Sequence, residues 1–455
     1  MRERERNMTD APGREHHLRR DLGLKEAITI LMGSIIGSGI FLTPRAIAHA
    51  IPSPGLILLV WVVSGVLTLF GALTYAELSA MMPRSGGQYV YLREAFGPLW
   101  GFLFGWTFFL VIQTGSIAAV AVAFAEYTGY FVPVTGIVVK FVAIACILLL
   151  TAVNYVGVRF GGWVQNVFTV LKIGAIIGLV GLGFGLHGGS WAHFSPLWGG
   201  VSGQGVVRAF GVAMVAALWS YDGWNSVGFV AEEIREPQRN LPIALAFGTL
   251  GVILIYLSAN LVYMYALEVG EIANSQLVAA DVARKVIGPL GGAVVSAAVL
   301  VSTFGTVNGF VLAGPRVYYA MAKDGLFFRK IGNVHEAFGT PAFSVLVQGI
   351  WASLLTLTGK FEQLFTYVIF ASWIYYAMLV GGAIVLRRRR PHMERPYRTW
   401  GYPVVPVLFV AVALWFVYNT LTTDPRDSLM GLILVSLGLP AYWYWRRKSL
   451  HKHAD

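Results

Sequence analysis

An all-α integral membrane protein is predicted by three observations. The 455 residues are 56% hydrophobic and only 13% charged, against about 25% charged in an ordinary soluble domain. Apolar stretches long enough to cross a bilayer recur along nearly the whole chain. The first is interrupted by Gly33-Ser34-Ile35-Ile36-Gly37-Ser38-Gly39, a run of small residues that invites a helix to open at membrane depth. No single water-soluble core hides this much apolar surface.

Stretches of about 18 or more apolar residues read as spanning helices. Twelve are predicted, at 24–49, 54–81, 98–127, 137–156, 160–186, 206–233, 240–267, 288–321, 341–358, 362–387, 401–421 and 428–446. Lys and Arg favour cytoplasmic loops. Here they gather before Lys25, at Arg84 and Arg93, at Arg159, at Arg235 and Arg239, between Lys323 and Lys330, from Arg387 to Arg398 and at the C-terminus. That alternation predicts a multi-pass protein of the cell (inner) membrane with both termini cytoplasmic. Residues 1–21 are charged and lack an apolar core, so they are expected to form a disordered cytoplasmic tail rather than a signal peptide; 447–455 form a second tail. The net charge of +11 follows the segment ends, which argues against a nucleic-acid partner. Cys146 is the only cysteine, so disulfides and cysteine metal sites are excluded.

A second interruption falls in the sixth span, at Trp219-Ser220-Tyr221-Asp222-Gly223-Trp224-Asn225. A charge at such depth costs about 2.5–3.5 kcal/mol on insertion scales. Spans 1 and 6 are five apart and therefore enter the membrane from opposite sides. Two five-helix halves, 22–186 and 206–387, would then form an inverted repeat with facing breaks, leaving spans 11 and 12 (401–446) outside it.

Each candidate site residue has a plainer reading beside it. Gly33 and Gly37, like Ser34 and Ser38, have the spacing that lets helices pack closely. If the helix opens instead, the amides of Gly37, Ser38 and Gly39 start a half-helix whose positive end suits a carboxylate. The carbonyls released near Ile35, Trp219 and Ser220 suit an ammonium group, and an α-amino acid carries both charges. Asp222 either caps the second half of span 6 or binds a cationic group. Trp219 either packs or closes over substrate. Lys172 stands about 13–18 Å along span 5, near the middle of a core about 30 Å thick. Its ammonium must find oxygen partners there, either as a structural tie to span 1 or as a charge that replaces a sodium ion. Ser302 and Thr303 of span 8 lie at similar depth. Glu77, Arg84, Arg93, Glu94, Glu232, Glu233, Arg235, Glu236 and Arg239 flank cytoplasmic ends, where solvated charges are the default and a latch is the alternative.

At these residues the chain resembles the amino acid–polyamine–organocation superfamily, and most closely its L-type amino acid transporter branch with the bacterial serine/threonine-exchanger relatives. The likeness covers about 22–446. It rests on Gly33 through Phe41 with Thr43-Pro44, on Pro83 through Arg93, on Trp219 through Asn225 with Glu232-Glu233, and on Phe304 through Gly309 with Arg316. The resemblance implies a LeuT-like fold of twelve transmembrane helices, a 5+5 inverted repeat with helices 1 and 6 broken, working by alternating access. It implies that Ile35, Ile36, Gly37, Ser38 and Gly39 hold the charged ends of an amino acid. Trp219 becomes the gate, Ser220 and Asp222 complete the pocket, Asn308 stands near it in span 8, and Lys172 marks sodium independence. The loop 128–136 has no cysteine, so no disulfide-linked subunit is expected, nor any cofactor or metal.

The leading expectation is a sodium-independent exchanger of neutral and cationic L-amino acids. Proton-coupled uptake, with Lys172 gaining and losing its proton, is the near alternative; polyamine/amino acid antiport is another. A membrane nutrient sensor is the non-transporting reading. Paired intramembrane carboxylates, a His/Cys cluster and a Ser-His arrangement are all missing from the spans, which disfavours an enzyme.

Overall fold

The computed structural model describes residues 22–452 apart from 85, 157, 187, 200–203, 334, 336–340, 360 and 424. The expected tail at 1–21 and the end of the tail at 447–455 lie outside the described residues. Among the described residues, ten helices are long and apolar enough to cross a membrane: Leu24–Ala50, Pro54–Met81, Pro98–Thr128, Ile137–Tyr155, Val167–Gly185, Pro237–Ala266, Pro289–Lys323, Gln363–Arg389, Val404–Thr423 and Ser428–Lys448. The shorter apolar helix Ala342–Thr358 supplies span 9. The pair Gln204–Ser220 and Trp224–Glu233 supplies span 6. The twelve spans fall in the expected order and close to the expected bounds, and the chain is a multi-pass membrane protein. Side chains such as Val170, Phe247, Leu254 and Leu414 stand exposed on its flanks, as a lipid-facing surface requires.

Two of the twelve are discontinuous. Span 1 is helical over Leu24–Ile35 and again over Gly39–Ala50, with the ladder interrupted at Ile36-Gly37-Ser38. Span 6 stops at Ser220 and turns through Tyr221-Asp222-Gly223. Its second part, Trp224–Glu233, is a 3-10 helix, tighter than the α-helical half expected from sequence. At its start Gly223 sits in the left-handed region with φ 101° and redirects the chain there.

The closest packing sorts the core into two groups. Spans 1, 2, 6 and 7 pack on one another, and spans 3, 4, 8 and 9 form a second set. At the face where Leu22 lies, here the N-terminal face, Leu22 pairs with the end of span 6: its N–H donates to Glu233 O at 3.0 Å and its carbonyl accepts from Arg235 N at 2.7 Å. Glu233 in turn meets Arg316 at 3.1 Å. Arg390 at the end of span 10 donates to Glu94 at 2.8 Å, and Arg93 and Tyr89 both donate to Asp324.

Glu77 makes the most enclosed of these contacts. It is 1% exposed near the end of span 2. It accepts from Arg387 Nε at 2.8 Å and Nη2 at 2.5 Å, and from Thr399 N at 2.8 Å and Oγ1 at 2.7 Å. Arg395 stands at 3.5 Å. Removing one partner of a buried pair strands the other, at about 3–5 kcal/mol. Glu77→Ala is therefore expected to lower the melting temperature of the detergent-solubilised protein markedly, while Glu94→Ala at the more exposed pair shifts it little; equal melting curves would refute this ranking.

Candidate functional site

The two interruptions meet. A methyl group built on Gly39 would lie 2.6 Å from Ser220 Cα, and one on Gly223 would lie 2.8 Å from the carbonyl oxygen of Ser34. Only glycine tolerates such approaches. Across the contact, Thr43 Oγ1 and Ser220 Oγ share a hydrogen bond at 2.7 Å. The helix of span 1 re-forms with the N–H groups of Phe41 and Leu42 bonded to Ser38 O. The first N–H groups of such a half-helix have no acceptor within it. Ser38 Oγ is buried and without a hydrogen-bond partner among the described residues. This corner of the molecule therefore offers donors.

The carbonyls freed on the other side are held by two side chains from neighbouring helices. Lys172 Nζ donates to Gly33 O at 2.5 Å and reaches Thr306 Oγ1 at 3.4 Å, so span 5 is tied to spans 1 and 8. Its side chain is 1% exposed. Tyr256 of span 7 places its hydroxyl 3.0 Å from both Ile35 O and Ser220 O, bridging the last turns of both first half-helices. Sequence reasoning had located Lys172 by its charge at midplane, but Tyr256 escaped it, since a tyrosine in an apolar helix reads as packing.

The remaining predicted residues divide. Trp219 is buried, stacked on Phe365 at 5.9 Å and set edgewise against Phe361 at 6.3 Å. Both rings belong to span 10, so the three form one aromatic layer. Asp222 Oδ1 accepts from Tyr376 Oη at 2.6 Å, turning toward span 10. Trp224 packs on Tyr75 and Tyr376. Asn308 turns elsewhere: its Oδ1 accepts from Asn154 Nδ2 at 2.8 Å, joining span 8 to span 4. Thr306 is the span 8 side chain that meets the break, 3.3 Å from a methyl built on Gly37. Ser302 Oγ lacks a partner among the described residues, and Thr303 bonds back to Val299 O within its own helix.

Toward the face opposite Leu22, a cavity of about 560 Å³ opens above this layer. It is lined by Leu42, Val122, Val139 and Phe361, with Arg45, Glu126, Lys140 and Gln276 among the polar groups. Phe361 is thus shared between the cavity and the layer over Trp219. Groups of three or more His, Cys, Asp or Glu able to hold a metal are absent among the described residues.

Tyr256→Phe removes one hydroxyl that serves two carbonyls. It is expected to leave the fold intact but loosen the register of the two breaks. Hydrogen exchange of the amides around Ile36–Ser38 and Tyr221–Gly223 should then rise relative to those of span 2, and unchanged protection at both breaks would show the bridge to be dispensable.

Comparison with known proteins places the chain among transport proteins. Residues 22–437 match the family described as amino acid permease. The b(0,+)-type amino acid transporter 1 of Mus musculus is 35% identical over 435 residues, covering 94% of this chain and 88% of that protein. The serine/threonine exchanger SteT of Bacillus subtilis (strain 168) is 32% identical over 438 residues, covering 96% and 99%. The large neutral amino acids transporter small subunit 2 of Homo sapiens is 33% identical over 443 residues, covering 95% and 82%.

Proposed function

Because the chain belongs to the amino acid permease family, we propose that it exchanges L-amino acids across the cell membrane by alternating access and without sodium. One observation carries this reading: two helices open at the same place and present backbone groups of both polarities to it. The N–H groups of Gly37, Ser38 and Gly39, with the Ser38 hydroxyl, receive the α-carboxylate at the positive end of a half-helix. Carbonyls near Ile35, Ile36, Trp219 and Ser220 receive the α-ammonium; each carbonyl held by Tyr256 still has a second lone pair. Thr306, rather than Asn308, supplies the contact from span 8. Trp219, with Phe361 and Phe365, is the gate that seals the pocket from the cavity above it.

Lys172 bridges spans 1, 5 and 8 through Gly33 O and Thr306 Oγ1, where a bound cation would otherwise be needed to hold a bent carbonyl in place. With both termini cytoplasmic, the ion pairs of the N-terminal face close the inner side and the cavity faces outward. The relatives are named for serine and threonine, for large neutral amino acids and for b(0,+) amino acid transport. We read this chain's substrates as neutral L-amino acids, with Asp222 admitting cationic ones. Its single cysteine, Cys146, is buried in span 4, which favours a protein that works without a disulfide-linked subunit.

Liposomes preloaded with L-serine should take up labelled L-serine faster with the protein than without it, in potassium buffer as well as in sodium buffer. Uptake driven instead by an imposed pH gradient into empty liposomes would replace exchange with proton coupling. Lys172→Ala is expected to abolish exchange in protein that remains monodisperse; undiminished exchange would remove Lys172 from the mechanism. Asp222→Asn should weaken L-arginine uptake at least tenfold more than L-serine uptake, equivalent to about 1.4 kcal/mol of selectivity. Equal losses would assign Asp222 to holding span 10 through Tyr376.

A further inference from the structure

Span 12 lies outside the two repeats, and its last turns carry a chemistry that exchange leaves unused. Leu439, Trp443 and Arg447 follow one another at four-residue steps, so they share one face of the helix, about 6 Å apart along its axis. All three are exposed. That face passes from hydrocarbon to ring to guanidinium, the order in which a bilayer passes from acyl chain to interface to headgroup. Tyr444 and Lys448 repeat the last step beside it. The cations are seated on rings. The Arg446 guanidinium stands 5.4 Å from the centre of Trp443 and 6.0 Å from that of Tyr442, and the Lys448 ammonium 5.5 Å from Trp445 and 5.9 Å from Tyr444. Such contacts hold a long cationic side chain in place without consuming its hydrogen-bond donors.

A second element completes the surface. Phe328, just past span 8, packs edgewise on Trp445 with ring centres 4.8 Å apart, and the next two residues are the exposed Arg329 and Lys330. Arg446, Arg447, Lys448, Arg329 and Lys330 have no ion-pair partner among the described residues; Asp324, five residues before Arg329, is engaged by Arg93 and Tyr89. Cations gathered without a balancing carboxylate call for an anion from outside, and the lipid-facing rings beside them indicate its kind. We propose that this surface binds the headgroup of an anionic phospholipid, its phosphate among these five side chains and its acyl chains along Leu437 and Leu439. Guanidinium groups match phosphate oxygens with paired N–H donors. Trp443 and Tyr444, each more than half exposed, stand at the depth of the glycerol, where amphipathic rings belong. A soluble acidic peptide or free phosphate has no use for the apolar flank. Tyr442 packs on Phe102 of span 3 with ring centres 5.5 Å apart, so a lipid held here rests on the group that contains spans 3 and 8.

Binding is read without transport, so its failure would leave the exchange reading standing. Full-length protein, stripped of lipid in a neutral detergent, is titrated with dioleoylphosphatidylglycerol and separately with dioleoylphosphatidylcholine, and bound lipid is counted by native mass spectrometry. The anionic lipid should bind about tenfold more tightly, since each cation near such a headgroup strengthens binding about fivefold. The triple variant Arg446→Gln/Arg447→Gln/Lys448→Gln should lose that preference, and Arg329→Gln/Lys330→Gln should lose about three- to tenfold in affinity. Arg446→Lys/Arg447→Lys, which keeps the charge, should retain most of the binding. Trp443→Ala/Tyr444→Ala keeps every charge too, yet should weaken binding about threefold by removing the rings at the interface. Arg388→Gln/Arg398→Gln removes two exposed cations after span 10 and should change little. Equal affinity for the two lipids, an equal loss in the Arg388/Arg398 variant, or full binding without the two rings would leave only unspecific positive charge and overturn the site. Millimolar inorganic phosphate should not compete; if it displaces the lipid, the surface is a phosphate site and the proposal fails.

Discussion

Everything in this molecule depends on where broken helices find partners for the carbonyls they release. Lipid offers none, and each unsatisfied backbone group there costs several kcal/mol. The chain answers with two side chains from helices that are themselves continuous. Lys172 takes Gly33 O, and the Tyr256 hydroxyl lies between Ile35 O and Ser220 O. These ties hold the turns that end at each break, while the groups that begin the next turn, around Gly37 to Gly39, stay available. The result is a pair of facing breaks polarised by backbone geometry, with little intramembrane charge beyond Lys172 and Asp222. The close approaches of Gly39 to Ser220 and of Gly223 to Ser34 keep the two openings in register.

Much of this was legible in the sequence, and the physical reason is depth. A spanning helix declares itself by length, a break by small residues inside that length, and a midplane charge by its cost. Span positions, both interruptions and the tie from Lys172 to span 1 all follow from such one-dimensional quantities. What sequence could not carry was rotation about a helix axis. Asn308 lies in the expected helix, yet its amide turns to Asn154 in span 4, while Thr306, two residues earlier, faces the break. The same limit hid Tyr256 and left the loop charges unpaired on paper. Nothing in the pattern says that Glu77 reaches Arg387, Arg395 and Thr399, because they lie more than 300 residues away. The 3-10 form of Trp224–Glu233 was equally hidden.

The contacts at the N-terminal face fall into two kinds, and only one kind resists opening. Leu22 with Glu233 and Arg235 joins spans 1 and 6, which belong to the same packed group, so that pairing survives if the group moves as a body. Arg93 with Asp324 likewise joins the region before span 3 to the end of span 8, within the other group. Bonds that cross between groups include Glu233 with Arg316, at 3.1 Å and about one-fifth exposed on each side, Asn225 with Gln88, at 2.9 Å, and, with span 10 tied to the first group through Glu77, the exposed pair Arg390 with Glu94 at 2.8 Å. A partly exposed ion pair contributes about 0–1 kcal/mol and a neutral hydrogen bond about 0.5–1.5 kcal/mol. Together these crossing bonds favour the closed N-terminal face by only a few kcal/mol. A ligand shifts a conformational equilibrium by no more than its differential affinity for the two states, and a bound amino acid can supply a difference of that size. Glu77 sits outside this balance: its clasp ties span 2 to span 10, the helix that also carries Phe361, Phe365 and Tyr376. The strong buried contact thus fixes the helix that carries the aromatic layer to spans 1, 2, 6 and 7, and the weaker contacts at the N-terminal face are those that part at the least cost.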